Sequence, residues 1–226
     1  MKKFPTQALA ILDFYRQLKP EFDLPDGVSI MNPFADNRSW QLTEKFYNKF
    51  YTDTGSRHFI FGINPGRFGG GITGIPFTDP LRLEEQCGIQ NDLKKLPELS
   101  SLFIYEMIAA YGGVQSFYKD FFITALSPLG FVKDGKNLNY YDNKQLLSSC
   151  EVFIVACINR QLKTIVSSTT AFCLGEGENF RYFHKLNEKF HFFEEIIPLP
   201  HPRWIMQYRR KRMGEYVELY VKQLKK

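Results

Sequence analysis

The chain has 226 residues, of which 44% are hydrophobic and 16% aromatic, and its formal net charge at pH 7 is +5. This composition excludes an intrinsically disordered protein, and residues 1–226 are predicted to form a single domain with a sizeable core. The apolar run near the N-terminus has only about five residues, too few for a signal peptide, and no run reaches the roughly 18 residues of a membrane helix. We therefore expect a soluble, cytoplasmic protein that has no contact with a membrane.

Apolar periodicity predicts helices and strands in alternation. Helices are predicted at 7–18, 40–50, 99–111, 143–159, 178–189 and 207–225, and strands at 58–63, 121–126, 170–174 and 192–199. Residues 20–38 are predicted to be a loop, and a strand at 152–156 is an alternative to part of the fourth helix. The alternation predicts an α/β fold of three layers, α/β/α, with a central parallel four-stranded sheet covered by helices on both faces.

Two of the predicted strands end in polar side chains. The strand at 58–63 leads into a glycine- and proline-rich loop that begins with Asn64, and the strand at 192–199 is followed by His201 between Pro200 and Pro202. Because α/β proteins bind ligands at the C-terminal ends of their strands, Asn64 and His201 form a candidate active site. Each could instead be a simple turn residue, since Asn-Pro commonly begins a turn.

The cysteines and histidines do not have the spacing of a metal site. The four cysteines include no C-x-x-C pair, and Cys150 and Cys157 are seven residues apart on a predicted helix, which places them on one buried face. Disulfides are not expected in a chain without a secretory signal. We therefore predict no metal ion and no cofactor.

Positive charge is concentrated at the end of the chain. Residues 201–226 contain eight basic and two acidic side chains, whereas the rest of the chain contains 21 basic and 22 acidic ones. Basic groups beside a cleft can neutralise phosphates and attract a polyanion, although a solvated C-terminal helix can have the same composition. Because this charge adjoins His201, the pattern favours nucleic-acid binding.

The loop after the first predicted strand also carries a family pattern. GINPG at 62–66, FG at 68–69 and TGIPF at 73–77 resemble the first motif of the single-strand-selective monofunctional uracil-DNA glycosylases, and His201-Pro202 resembles the start of their second motif. The resemblance extends over most of the chain after about Arg57. It implies a uracil-DNA glycosylase-like fold and a monomeric DNA repair enzyme. Such an enzyme flips uracil, or a related deaminated or oxidised base, out of DNA and hydrolyses its glycosidic bond, leaving an abasic site.

The resemblance also implies roles for individual residues. Asn64 would position the attacking water, and His201 would donate a hydrogen bond to the departing base near uracil O2. Phe77 would stack on the extruded base, although a core position is the usual place for a phenylalanine. Phe68 would line the base pocket, and the backbone N–H of Ile63 would be a further donor to the base.

The chain departs from the family pattern at one position. Family members typically have an asparagine that reads the uracil edge at the end of the strand matching 121–126, and Ala125 stands there in this sequence. Thr124 and Ser127 are the nearest polar substitutes, and glycines at 69–71 leave room for a base 5-substituent. We therefore expect a range of substrate bases broader than uracil, including 5-hydroxymethyluracil and xanthine. Asp53 and Asp79 are alternative carboxylate bases.

The segment after His201 is expected to hold the DNA. Backbone phosphate contacts are predicted for the arginines Arg203, Arg209, Arg210 and Arg212. Trp204, together with Ile205 and Met206, would insert into the base stack and hold the duplex open, or these side chains would simply bury the start of the last helix.

Two other functions fit parts of the sequence. The glycine-rich loop could bind phosphate in another nucleotide enzyme, but it lacks the G-x-G-x-x-G spacing and a Walker lysine. The chain could also be a catalytically inactive nucleic-acid-binding module, since a fold does not guarantee activity. Formation of abasic sites in a uracil-containing oligonucleotide distinguishes these possibilities.

Overall fold

The computed structural model describes residues 4–226. In chain order its strands are β1 (Val28–Met31), β2 (Arg57–Gly62), β3 (Phe121–Ala125), β4 (Gly130–Lys133), β5 (Lys136–Leu138), β6 (Ser167–Leu174) and β7 (Glu195–Leu199). Its helices are α1 (Gln7–Arg16), α2 (Asn37–Phe50), α3 (Gly70–Thr73), α4 (Pro80–Glu85), α5 (Leu99–Tyr111), α6 (Gly113–Asp120), α7 (Lys144–Thr164), α8 (Glu178–Phe190), α9 (Pro202–Tyr208) and α10 (Met213–Leu224). None of the helices in residues 4–226 combines the length and apolar character that crossing a membrane requires.

The central sheet of the described chain contains four parallel strands in the order β3-β2-β6-β7. Phe59 on β2 lies opposite Phe122 on β3 and Ala171 on β6, and all three side chains are buried. All residues of β3 and all of β2 except His58 are buried, which is the pattern of strands covered on both faces. The structure therefore confirms the predicted α/β/α fold, and it brings the C-terminal ends of the four strands to one edge of the sheet.

A second, antiparallel sheet in the order β1-β4-β5 was not predicted from the sequence. Strand β1 lies inside the predicted loop at 20–38 and pairs with β4, with Ser29 opposite Val132. Strands β4 and β5 form a hairpin whose turn residues, Asp134 and Gly135, have φ angles of 50° and 66°. Asp-Gly is a typical pair for such a turn, so the local sequence indicates this hairpin. The pairing of β1, in contrast, depends on β4, which is distant in the sequence.

Two helix predictions require correction. The helix predicted at 207–225 is interrupted, because α9 ends at Tyr208, a 3-10 turn covers Arg210–Arg212, and α10 begins at Met213. The alternative strand at 152–156 is wrong, since α7 is helical throughout and Val152 is 79% exposed on it.

The helix predicted at 99–111 has the bounds of α5, because Gly112 ends it with a φ of 133°.

The N-terminal segment supports the loop that follows β2. The hydroxyl of Ser39 on α2 donates to the carbonyl of Ile72 at 2.5 Å, and the hydroxyl of Thr43 donates to the carbonyl of Thr73 at 3.3 Å. Gly74 has a φ of 74° and packs against Thr43 so closely that a side chain at position 74 would overlap its hydroxyl. Helix α2 thus packs against the glycine-rich loop and supports it through these hydrogen bonds.

Candidate active site

A cleft of about 360 Å³ lies at the edge of the sheet where the strands end. Its walls come from the loop after β2, the end of β3, the segment around β5, and the start of α9. Side chains that are far apart in the sequence therefore meet in one cleft, among them Asn64, Phe68, Phe77, Ala125, His201 and Trp204.

Asn64 is held by two backbone groups that follow β5. Its Oδ1 accepts a hydrogen bond from the N–H of Tyr140 at 3.1 Å, and its Nδ2 donates to the carbonyl of Leu138 at 3.2 Å. A donor on one side and an acceptor on the other fix which way the amide points. Nδ2 also donates to the carbonyl of Pro65 at 3.4 Å, so the second lone pair of Oδ1 is the group that can serve a ligand in the cleft.

His201 is the N-cap of α9, and Pro202 occupies the first position of that helix. Its Nδ1 accepts a hydrogen bond from the backbone N–H of Arg203 at 3.1 Å, and the hydroxyl of Tyr220 donates to the preceding carbonyl of Pro200. Burial, aided by the positive charge of Arg203, lowers the pKa of His201 to about 4. The imidazole is therefore neutral at pH 7, with its proton on Nε2 and available to a ligand.

Phe77 is placed at the cleft by an unusual backbone conformation. Its φ is 53°, in the left-handed region that a phenylalanine rarely adopts. The ring centroid lies 6.1 Å from that of His201 at an interplanar angle of 55°. The hydroxyl of Thr73 donates to the carbonyl of Thr78 at 2.7 Å and holds this loop closed. Backbone strain that is held by its surroundings is common at functional sites.

Phe68 and Ile63 both line the cleft. Phe68 is 48% exposed, and the guanidinium of Arg67 lies 5.3 Å from the centre of its ring. The carbonyl of Ile63 accepts a hydrogen bond from the N–H of Ser127 at 3.2 Å, which ties the end of β2 to the segment after β3.

The two hydroxyls that were expected to replace the family's base-reading amide do not point into the cleft. Thr124 borders the cleft, but its Oγ1 donates to Oε1 of Gln161 on α7 at 2.8 Å. Ser127 is fully buried and donates to the carbonyl of Leu129 at 2.8 Å. Neighbouring residues on a strand face opposite sides, so the placement of Ala125 at the cleft turns the Thr124 side chain into the core.

The glycines at 69–71 do not leave the open space that the sequence suggested. A side chain on Gly69 would overlap the carboxyl of Glu98, and one on Gly71 would overlap the carbonyl of Gly66 and the side chain of Met31. Only Gly70 of the three lines the cleft. These glycines are required by close packing of the loop, and they are not evidence of room for a 5-substituent.

The segment after His201 divides into an exposed part and a buried part. Trp204 is 39% exposed and borders the cleft, whereas Ile205 and Met206 are buried in the core, so these two cannot act as a wedge. The guanidinium of Arg209 lies 5.1 Å from the Trp204 ring centre.

The four predicted phosphate-binding arginines differ in their surroundings. Arg203 lines the cleft, Arg209 is exposed against the ring of Trp204, and Arg210 is exposed. Arg212 pairs with both carboxylate oxygens of Glu215, its Nη2 at 2.6 Å from Oε2. Arg212 is therefore the least available of the four for a phosphate.

Neither alternative carboxylate base reaches the cleft. Asp53 pairs with Arg57 at the start of β2, at the opposite edge of the sheet, with 2.9 Å between Oδ2 and Nη2. Asp79 is buried and caps α4, accepting hydrogen bonds from the N–H groups of Arg82 and Glu98, each at 2.8 Å. Both carboxylates have structural partners.

Glu98 is a cleft residue that the sequence reasoning missed. Burial, followed by the negative charge of Asp79, raises its pKa to about 7, and the charge of Arg203 acts in the opposite direction. A perturbed carboxyl in a cleft is a functional candidate. The sequence around Glu98 carries no motif, and only its position before a predicted helix could have drawn attention to it.

The cysteines are distributed through the core. Cys150 and Cys157 lie on the buried side of α7, as their spacing predicted, and Cys87 and Cys173 are buried elsewhere. In the part of the chain that the structure describes, no three histidine, cysteine or acidic side chains converge in a way that could hold a metal ion.

Comparison with known proteins identifies the family. The model of the uracil DNA glycosylase superfamily matches residues 49–225. The structure described as the crystal structure of WT Pedobacter heparinus SMUG2 is similar over 98% of both chains, with 43% sequence identity and a TM-score of 0.95. A search of the curated proteins finds no match. The extent of the family match shows that this chain belongs to the uracil DNA glycosylase superfamily.

Proposed function

We propose that this chain is a monofunctional DNA glycosylase that flips uracil or a related damaged base out of DNA, hydrolyses its N-glycosidic bond and leaves an abasic site. Superfamily membership and the similarity to SMUG2 support a DNA glycosylase role. The observation that carries the proposal is the convergence of Asn64 and a neutral His201 on one cleft, from the ends of β2 and β7.

His201 is suited to stabilise the departing base. As the glycosidic bond breaks, positive charge develops on the sugar and negative charge on the base. The Nε2–H of His201 can donate to a base carbonyl, because Nδ1 already accepts from Arg203. A donor that is held in place before the reaction commonly contributes on the order of 100- to 1000-fold in rate.

Asn64 is suited to position the water that attacks the sugar. Its amide is fixed by Tyr140 and Leu138, and the remaining lone pair of Oδ1 can accept a hydrogen bond from water. An amide is a weak base. This is sufficient when bond breaking runs ahead of water attack, because the sugar is then already strongly electrophilic.

Aromatic rings at the cleft can hold the extruded nucleotide and its neighbours. Phe77 would stack on the extruded base inside the cleft, and Phe68 at the mouth would cover it, with base–aromatic stacking contributing about 1–3 kcal/mol per base. Trp204 with Arg209 combines an exposed ring and a cation, which suits a neighbouring base and its phosphate. Arg203, Arg210 and the backbone N–H of Ile63 remain further proposed contacts.

In the described part of the chain, the cleft offers no amine for imine formation with the sugar. No lysine borders it in residues 4–226, so a Schiff base with the sugar has no nucleophile there. This supports simple hydrolysis, in which the strand stays intact after the base has left.

Base release from labelled oligonucleotides tests the proposal. The chain is incubated with identical strands that carry uracil, 5-hydroxymethyluracil, xanthine or unmodified thymine, and abasic sites are detected by alkaline cleavage. We expect release of uracil and no release of thymine, and Ala125→Asn should narrow the range of damaged bases released. If no damaged base is released under any condition, the proposed function is wrong.

A further inference from the structure

Two features fix the position of Glu98 at the cleft, one at its backbone and one at its carboxyl group. Its backbone N–H donates to Oδ2 of Asp79 at 2.8 Å, which fixes the chain just before α5. Gly69 lies directly against Oε2, and any side chain on Gly69 would overlap that oxygen. The absence of a side chain at Gly69 is therefore what allows Glu98 to lie at the wall of the cleft.

Two other polar side chains at the cleft already have protein partners. Oγ1 of Thr124 donates to Gln161, and Oδ1 of Asn137 accepts from the N–H of Arg67 at 2.9 Å. Within residues 4–226, by contrast, the carboxyl oxygens of Glu98 accept no hydrogen bond, although the group lines the cleft. Carboxyl oxygens that lie at the wall of a cleft without a protein partner are free to bind a ligand.

The charges around Glu98 determine its protonation. Asp79 at the start of α4 and Arg203 at the start of α9 act on it in opposite directions, and Arg82 pairs with Asp79 at 3.5 Å. Burial is the largest effect and raises the pKa of Glu98 to about 7, so a large fraction is protonated at neutral pH.

The two protonation states offer different groups to a base. A protonated carboxyl offers one O–H donor and one carbonyl acceptor, whereas a carboxylate offers only acceptors. The lactam edge of uracil or xanthine presents a ring N–H beside a carbonyl. Only the protonated form of Glu98 complements that edge.

We propose that Glu98, in its protonated form, reads the extruded base, its O–H donating to a base carbonyl and its C=O accepting from the neighbouring ring N–H. An amide at position 125 would offer an equivalent donor and acceptor, and Ala125 offers neither. The inference rests on the proposed glycosylase function and makes a lactam edge one requirement that a substrate base must meet. An ionised Glu98 would lose the donor and would also oppose the negative charge that develops on the departing base.

Single-turnover release of uracil at pH 6 and pH 8.5 tests the inference. Between these values the protonated fraction of a group with a pKa of about 7 falls roughly thirtyfold. We therefore expect the wild-type rate to fall by about tenfold or more, whereas Glu98→Gln, which keeps a donor and an acceptor, should not show this decline. Glu98→Ala should be at least about tenfold slower than Glu98→Gln at pH 6. Glu106→Gln, on the exposed side of the same helix α5, is the matched control and should follow the wild type.

The outcomes separate this inference from the proposed function. If the wild type releases uracil but Glu98→Gln declines with pH as the wild type does, or Glu98→Ala equals Glu98→Gln at pH 6, the inference is wrong and the glycosylase function stands. If the wild type releases no base at either pH, the proposed function itself fails.

An infrared difference spectrum between the wild type and Glu98→Gln gives a readout that does not depend on activity. We expect a protonated carboxyl band in the wild type at pH 6 that is lost by pH 8.5. The absence of that band at pH 6 would show an ionised Glu98 and overturn the inference.

Discussion

The ring of Phe77 fills the space that a side chain on Gly62 would need. A Cβ on Gly62 would stand 3.0 Å from Cε2 and 3.3 Å from Cζ of Phe77. Gly62 is the last residue of β2, and Phe77 lies in the loop beyond α3 with a φ of 53°. The Phe77 ring therefore fits against the end of β2 because residue 62 has no side chain. The position of the ring depends on a glycine 15 residues earlier in the chain.

We expect Gly62→Ala to displace the Phe77 ring and to slow base release by about tenfold or more, because stacking on the base is lost or misplaced. Single-turnover kinetics on a uracil-containing oligonucleotide measure the effect. Gly214→Ala on α10 is the control, since a Cβ there meets no atom within 4 Å. Equal rates for the two variants would show that the position of Phe77 does not limit the reaction.

Asn64→Ala and His201→Ala should each lower single-turnover cleavage by at least about 100-fold and leave DNA affinity within a few-fold. Asn64 also bonds Tyr140 and Leu138, so thermal unfolding of each variant must be measured beside the rate. His184→Ala, on the exposed side of α8, serves as the matched control. Near-normal rates in both site variants would contradict the assignment.

Glu98 should make the stability of the protein depend on pH. Its pKa in the folded state is about 7 against an ordinary 4.5, so the fold favours the protonated form and loses stability as the pH rises from about 4.5 to about 7. Glu98→Gln removes this ionisation. The melting temperature of the variant relative to the wild type should therefore increase across that range and stay constant above it. A difference that does not vary with pH would mean that Glu98 has an ordinary pKa.

Replacement of Arg209 and Arg210 together by alanine should weaken DNA binding and reduce the slope of log affinity against log salt by up to about 0.9 for each lost phosphate contact. Arg212→Ala should have a smaller effect, because Arg212 is already paired with Glu215. Titrations at several salt concentrations measure the slope, with Lys163→Ala, beside the start of β6, as the control. An unchanged slope in the double variant would show that Arg209 and Arg210 do not contact DNA phosphates.

Base release should leave an intact strand with an abasic site, and borohydride should trap no covalent protein–DNA adduct. The physical reason is the composition of the cleft, which no lysine borders in residues 4–226. Denaturing gels before and after alkali distinguish an abasic strand from a nicked one. A trapped adduct would show a lyase reaction and refute the monofunctional assignment.

The local sequence was sufficient to predict an element wherever the sequence pattern lies in the residues that form that element. The apolar, β-favouring run before Asn64 predicted β2, and the glycine after Tyr111 predicted the end of α5, because both depend on nearest neighbours along the chain. The positions of Asn64 and His201 at strand ends were predictable for a related reason, since parallel strands end at the same edge of a sheet.

Tertiary structure decided which polar groups face the cleft. Thr124 and Ala125 are adjacent, and only the packing of β3 against Gln161 on α7 determines that the alanine borders the cleft and the hydroxyl does not. Likewise Glu98 reaches the cleft because Gly69, far away in sequence, has no side chain, and β1 exists because β4 pairs with it. The chain by itself therefore determined the family motif, the central strands and the candidate catalytic pair through local patterns. The polar lining of the cleft around Glu98, Thr124 and Ala125 was decided by contacts between distant segments, and the packing that makes those contacts favourable is not encoded in any local pattern.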